Sequence, residues 1–211
     1  YYLAPEGHRQ GPDEPEDMRS TKVEYDGDLR AWTKPFFMGP MNSKIVRRTN
    51  ALLGYPYGED FSYNEARVVA DGLSGRIKAK AEALGYVAFL SAVASPPTRS
   101  LLKKYVLPGS GEGPDKETRE SGQWKVVLIG KMGDGSCVRT LVGGEGDPGT
   151  GSTSRMLIES ALCLAQDVDE IPVGGGSWTP AAAMGDLLLD RLTSHAGMSF
   201  EFEPTSTDAG H

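Results

Sequence analysis

Between Asn42 and Gly54, Ile45, Thr49, Leu52 and Leu53 fall at i, i+4, i+7 and i+8, the stripe that one face of a helix buries. Asn42 and Ser43 suit its N-cap and Gly54 a left-handed end, which turns Arg47, Arg48 and Asn50 toward the flanks. Ahead of it, Thr21 to Tyr25 and Leu29 to Met38 read as two strands around the turn residues Asp26-Gly27-Asp28. Behind it, Phe61 to Val69 alternates as a third strand does. Leu73 to Ala94 is helical, with Ile77, Ala81, Leu84 and Ala88 on one face and Gly85 a point of break or close packing.

Pro96-Pro97 ends that helix, and Thr98 to Val106 forms a short amphipathic one, with Arg99, Lys103 and Lys104 opposing Leu101, Leu102, Tyr105 and Val106. Leu107 to Ser121 reads as a loop. Gln123 to Lys131 and Ser136 to Gly143 form a hairpin around Gly133-Asp134-Gly135. Ser152 to Gln166 is a helix with Met156, Ile158, Ala161, Leu162 and Ala165 on a wide apolar face. After the turn at Gly174-Gly175-Gly176, Thr179 caps a helix with Pro180 at its first position, ending near Ser194. Met198 to Phe202 closes as a strand. Strands, helices, a hairpin and then helices define an α+β (mixed α/β) chain rather than a βαβ ladder. Residues 1–20 are an acidic, proline-rich lead-in, 21–203 the domain and 204–211 a tail.

Composition narrows the partners. A net charge of −7 excludes a nucleic-acid partner as the default, because phosphate binding needs a basic surface. Two cysteines, Cys137 and Cys163, give no disulfide framework and point to a reducing, cytoplasmic compartment. His8, His195 and His211 are too scattered for a histidine metal site. Against the acidic background, Lys34, Lys44, Arg47 and Arg48 make a cationic island among Trp32, Phe36, Phe37, Tyr55, Tyr57 and Tyr63.

The chemistry-bearing residues gather there and at one glycine-rich turn. Tyr57 and Tyr63 are core aromatics or, at a cleft edge, proton donors to an enolate formed after hydride delivery. Arg47 and Arg48 can hold a carboxylate or phosphate in bidentate fashion, with Glu65 orienting one of them or merely solvated. Gly144 to Gly149 spells G-x-G-x-x-G, but it follows half of an antiparallel hairpin, and a dinucleotide fingerprint follows the first strand of a parallel unit. Asp147 would also oppose a pyrophosphate. Gly149, Thr150, Gly151 and Thr153 instead lead into a helix N-terminus, either an oxyanion corner or a plain loop with its cap. The Tyr86 to Val106 region is either two packed helices or an interfacial anchor or tunnel wall, its apolar run being about half the ~20 residues that cross a bilayer.

The string N-S-K-I-V-R-R-T-N-A-L-L-G-Y-P-Y-G from Asn42, followed by F-S-Y-N-E, resembles the trans-acting enoyl reductases of the saccharopine dehydrogenase-like oxidoreductases. The blocks from Gly146 to Ala165 and from Trp178 to Leu192 are similar to the same family. The match is to the C-terminal half of such an enzyme. It implies a substrate and dimerisation domain, a mixed sheet flanked by helices with the Rossmann half absent. It further implies NADP(H) held mainly by that missing half, a lipid-like or polyketide acyl substrate, a homodimer, and an isolated chain that is inactive. Trp32, Arg47, Arg48, Asn50, Glu65, Gly149, Thr150, Gly151 and Thr153 would line the substrate side. The chain opens at Tyr1-Tyr2-Leu3, in keeping with a C-terminal portion. The rival reading is a non-catalytic lipid-binding or interaction domain, peripheral on a membrane, that keeps the family fold.

Overall fold

The computed structural model describes residues 22–107, 109 and 111–203. The expected lead-in (1–20) and tail (204–211) lie outside these residues. Two compact units divide the chain, Tyr1–Glu112 and Gly113–His211.

In the first unit, β1 (Glu24–Asp26), β2 (Ala31–Pro35) and β3 (Ala66–Ala70) form an antiparallel sheet in that order. The turn between β1 and β2 is set by Asp26, whose Oδ1 accepts the N–H groups of Asp28 and Leu29, each at 2.9 Å. The predicted third strand starts late: Phe61 to Glu65 stays outside the ladder, and pairing begins where Pro35 meets Ala66.

Helix α1 (Gly39–Leu52) begins three residues before the predicted start, with proline in its first turn, so Asn42 and Ser43 lie inside the helix and do not cap it. Its end follows expectation: Gly54 has φ 79° and Tyr55 follows at φ 61°. Of the predicted buried stripe, Thr49 is buried and Leu52 half-buried, but the rest faces the other way. Ile45 is 45% exposed and Leu53 also faces solvent, whereas Gly39, Ser43, Arg47, Asn50 and Ala51 are buried together with Thr49. The two hydroxyls of this face bond locally: Ser43 donates to the Gly39 carbonyl and Thr49 Oγ1 to Ile45 O.

Helix α2 (Gly72–Ala94) starts from Asp71, which accepts the Gly72 N–H. It packs through small residues: Gly75 and Ala79 are buried, and a Cβ on Gly75 would lie 2.2 Å from the Ala70 carbonyl oxygen. Ile77 and Leu84, predicted on the buried face, are exposed. The helix runs through Gly85 with no break and no heavy atom near the position a Cβ would take. Helix α3 (Pro96–Tyr105) follows at once.

In the second unit, residues read as loop contain α4 (Lys116–Ser121), with Asp115 accepting the Thr118 N–H at 2.7 Å. Strands β4 (Gln123–Lys131) and β5 (Cys137–Glu145) pair over nine registered positions, and β6 (Met198–Glu203) joins the other side of β5. Trp124, Gly144 and Met198 align across the ladder, as do Val126, Val142 and Phe200, so one face of the sheet is largely apolar. The outer strands carry Lys125 and Lys131 on β4, and Glu201 and Glu203 between exposed aromatics on β6. Both sheets are antiparallel, which replaces the single mixed sheet expected from the resemblance.

Helices α5 (Gly151–Gln166) and α6 (Pro180–His195) build the core around Cys163, Ala183, Met184 and Leu188. Burial raises the Cys163 thiol pKa, so the group stays protonated and inert. On α5 the buried positions are Ser152, Glu159 and Cys163, not the predicted face, and Ile158 is exposed. Arg191 explains the buried acid: its Nε lies 3.1 Å from Glu159 Oε2, its Nη1 3.0 Å from Asp167 Oδ2, and its Nη2 donates to Gln166. Gly185, at φ 48° and ψ −125°, interrupts α6.

Candidate functional site

Two side chains of the first unit converge on one carboxylate. Glu65, just before β3, accepts the Asn42 Nδ2–H on Oε2 at 2.8 Å and the Tyr63 hydroxyl on Oε1 at 2.6 Å. Helix α1 supplies Asn42 from its first turn, where the buried Gly39 lies against Glu65. Burial and then the Glu65 carboxylate push the Tyr63 phenol pKa well above its ordinary 10.0. Tyr63 is therefore held as a hydrogen-bond donor, and its proton is harder to give away than that of a solvated phenol.

The other end of α1 organises a second group. Asn50 Nδ2 donates to Gly58 O at 2.9 Å, and its Oδ1 accepts the Tyr57 N–H at 3.1 Å. This buried amide fixes the 54–58 turn and presents Tyr57, which is 58% exposed and packs on Phe61 with ring centroids 5.2 Å apart. Asn50 is thus a positioning group, not a flanking polar residue. Arg47 is buried at 7% exposure, against the expected flank position, while Arg48 is half-buried. Trp32 on β2 lies edge-on to Tyr25 at 5.6 Å and under the Arg76 guanidinium at 5.3 Å, so its face is engaged by a cation.

In the second unit the Gly149–Thr153 corner is closed by the chain's own anion. Asp147 Oδ2 accepts both the N–H and the hydroxyl of Thr150 at 2.8 Å, which holds its carboxyl below the usual value of 3.8. Thr153 Oγ1 donates to Pro148 O, and the Ser152 N–H to Asp147 O. Gly151 presses on α4, where a Cβ would lie 2.7 Å from the Arg119 carbonyl oxygen. The loop is therefore a self-bonded turn in which the Thr150 N–H and hydroxyl, the Ser152 N–H and the Thr153 hydroxyl have internal acceptors, while the buried Ser152 hydroxyl has none among the described residues.

Sequence reasoning missed two features. Asn42 was read as a cap, because its partner lies 23 residues away and leaves no local signal. The second is an open basin of about 550 Å3 on the second sheet, where Lys125, Glu145, Ser199 and Glu201 surround Leu141 and Gly143. Gly143 opens its floor, since a Cβ there would lie 2.9 Å from Ser199 Oγ. Among the described residues no helix is long and apolar enough to cross a membrane.

These features define a mixed α/β protein of two antiparallel, helix-backed units with a tyrosine–carboxylate–amide cluster in the first. It is similar to a Mycobacterium tuberculosis protein provisionally named a trans-acting enoyl reductase, at 38% identity over 174 residues, 81% of this chain and 41% of that protein. Trans-acting enoyl reductases of Mycobacterium ulcerans and Mycobacterium bovis match at 36% over 169 residues and 34% over 164, each covering 76% of this chain and 39% of theirs. The chain thus spans about two fifths of the length of the curated relatives it matches. No family model matches the chain, and no solved structure does so either.

Proposed function

We propose that the chain is the substrate-side portion of a trans-acting enoyl reductase of the saccharopine dehydrogenase-like kind, reducing the double bond of a lipid-like or polyketide acyl chain. The observation that carries the reading is similarity at 34–38% identity, over three quarters or more of the chain, to proteins bearing that name. The hydride donor is NADPH, held mainly by a Rossmann half outside these 211 residues, and the assembled enzyme is a homodimer.

Reduction of an enoyl group needs a hydride at one carbon and a proton at its neighbour. Of Tyr57 and Tyr63, Tyr57 is the more exposed, and it is the proton donor in this reading. Tyr63 and Glu65 position α1 against the segment that precedes β3. Arg47, Arg48 and Trp32 belong to the substrate wall, and the Gly149–Thr153 corner adds backbone rigidity.

The experiment follows NADPH oxidation with an enoyl thioester, using the 211-residue chain alone and the same chain joined to a nucleotide-binding half. The expected outcome is turnover only in the joined protein, with Tyr57→Phe lowering kcat by ~10²-fold. Turnover by the chain alone would refute the division of labour. No turnover in a joined protein that binds NADPH would refute the reductase reading.

A further inference from the structure

We propose that the second half of α2, together with α3, is a docking element for an anionic lipid bilayer that enters a single leaflet. The strongest observation is directional. Successive helical residues advance by ~100°, so Leu84, Tyr86, Val87, Phe89 and Leu90 point to every side of α2, and all five are exposed. A protein groove takes up one face of a helix, whereas a helix apolar all round needs an apolar medium.

Length and polar bonding fit that medium. Residues 83–98 carry no charged side chain. The turns from Leu84 to Ala94 rise ~16 Å, about half of a ~30 Å hydrocarbon core, so they reach into one leaflet before Pro96-Pro97 turns the chain. Two hydroxyls in this stretch are bonded internally: Ser91 Oγ donates to Val87 O, and Thr98 Oγ1 to the carbonyls of Ala92 and Ser95. Bonded in this way, they do not need water.

Charge selects an anionic surface. Helices α2 and α3 hold six cationic side chains (Arg76, Lys78, Lys80, Arg99, Lys103, Lys104) and one acid, Glu82, which pairs with Lys34. The whole chain is net −7, so these two helices, with six cations against one acid, are a locally cationic element that also exposes apolar surface. On α3, Leu101 and Tyr105 are exposed beside Lys103 and Lys104, with the Lys104 ammonium 5.0 Å from the Tyr105 ring. Arginine and lysine at that level reach the headgroups while their stems stay apolar.

The test is flotation of the 211-residue protein with vesicles of phosphatidylcholine alone and of phosphatidylcholine mixed with phosphatidylglycerol, at low and high salt. Binding to the mixed vesicles is expected, weakened by salt, and weakened at least ~10-fold by Lys103→Glu with Lys104→Glu. Phe89→Trp reports insertion directly: brominated lipid quenches its added fluorescence, and circular dichroism confirms an unchanged fold in every variant. Failure to float with anionic vesicles overturns the proposal, as does a tryptophan at position 89 that brominated lipid leaves unquenched. Light scattering that shows a dimer dispersed by Leu84→Gln and Leu90→Gln, without vesicle binding, assigns the surface to a second copy instead. The outcome is independent of the reductase reading, because no nucleotide or enoyl substrate enters the assay.

Discussion

Glu65 serves two donors at once, so its removal leaves both the Asn42 amide and the Tyr63 phenol without their acceptor. Glu65→Ala is expected to cost about 1–3 kcal/mol in urea unfolding, the range for a part-buried hydrogen-bonded group that loses its partner. Glu65→Gln removes the charge and one of the two acceptor oxygens, and the Tyr63 pKa, followed through tyrosinate absorbance, should fall part of the way toward 10.0, the burial that raises it most being unchanged. The linkage has a definite sign. A phenol whose folded pKa exceeds its unfolded pKa adds stability that is complete below about pH 10 and fades as pH climbs through the folded value. The urea midpoint should therefore drop in alkali, less steeply in Glu65→Gln. Asp147 has the opposite sign: its lowered pKa adds stability above the ordinary 3.8, lost as pH falls below it. Residue types told part of this in advance, since Tyr63 and Glu65 could be named from their chemistry, although the strand that alternation predicts there does not form. Their joint partner on α1 could not be named, because a contact spanning 23 residues has no signature in local spacing.

Helices and strands were legible where local chemistry dictates them and illegible where packing decides. The β4–β5 hairpin follows from a Gly-Asp-Gly turn, and the start of α6 from Thr179-Pro180. The buried faces of α1, α2 and α5 did not follow, because periodicity counts apolar residues while these helices approach their neighbours through glycine, alanine, serine and internally bonded polar groups. Two glycines of α2 turn this into a paired prediction. Gly75→Ala drives a methyl into the Ala70 carbonyl and should destabilise by about 1–3 kcal/mol. Gly85→Ala meets nothing within 4 Å and should stabilise by about 0.5–1 kcal/mol through helix propensity. Thermal melts of the two variants check the contrast. On α6, Arg191→Met leaves Glu159 a poorly solvated carboxylate and should cost about 3 kcal/mol, whereas Arg191→Met with Glu159→Leu should recover most of it.

At the scale of the whole chain, relatives and coordinates speak to different things. A resemblance to trans-acting enoyl reductases was readable in the blocks around Asn42, Gly146 and Trp178, and similarity to proteins of that name extends over 174 residues. The sheet architecture was not, since a tally of strands cannot say whether they join one sheet or divide between two. The outer strands of the second sheet have a practical consequence. On β6, Phe200 and Phe202 alternate with Glu201 and Glu203, and β4 bears lysines on the opposite margin, so charge helps to keep the outer strands from pairing with neighbouring molecules. Such a shield weakens as dissolved ions accumulate. Concentrated stocks should turn cloudy sooner in brine than in dilute buffer, and replacing Glu201 with valine should bring the haze forward even without added salt.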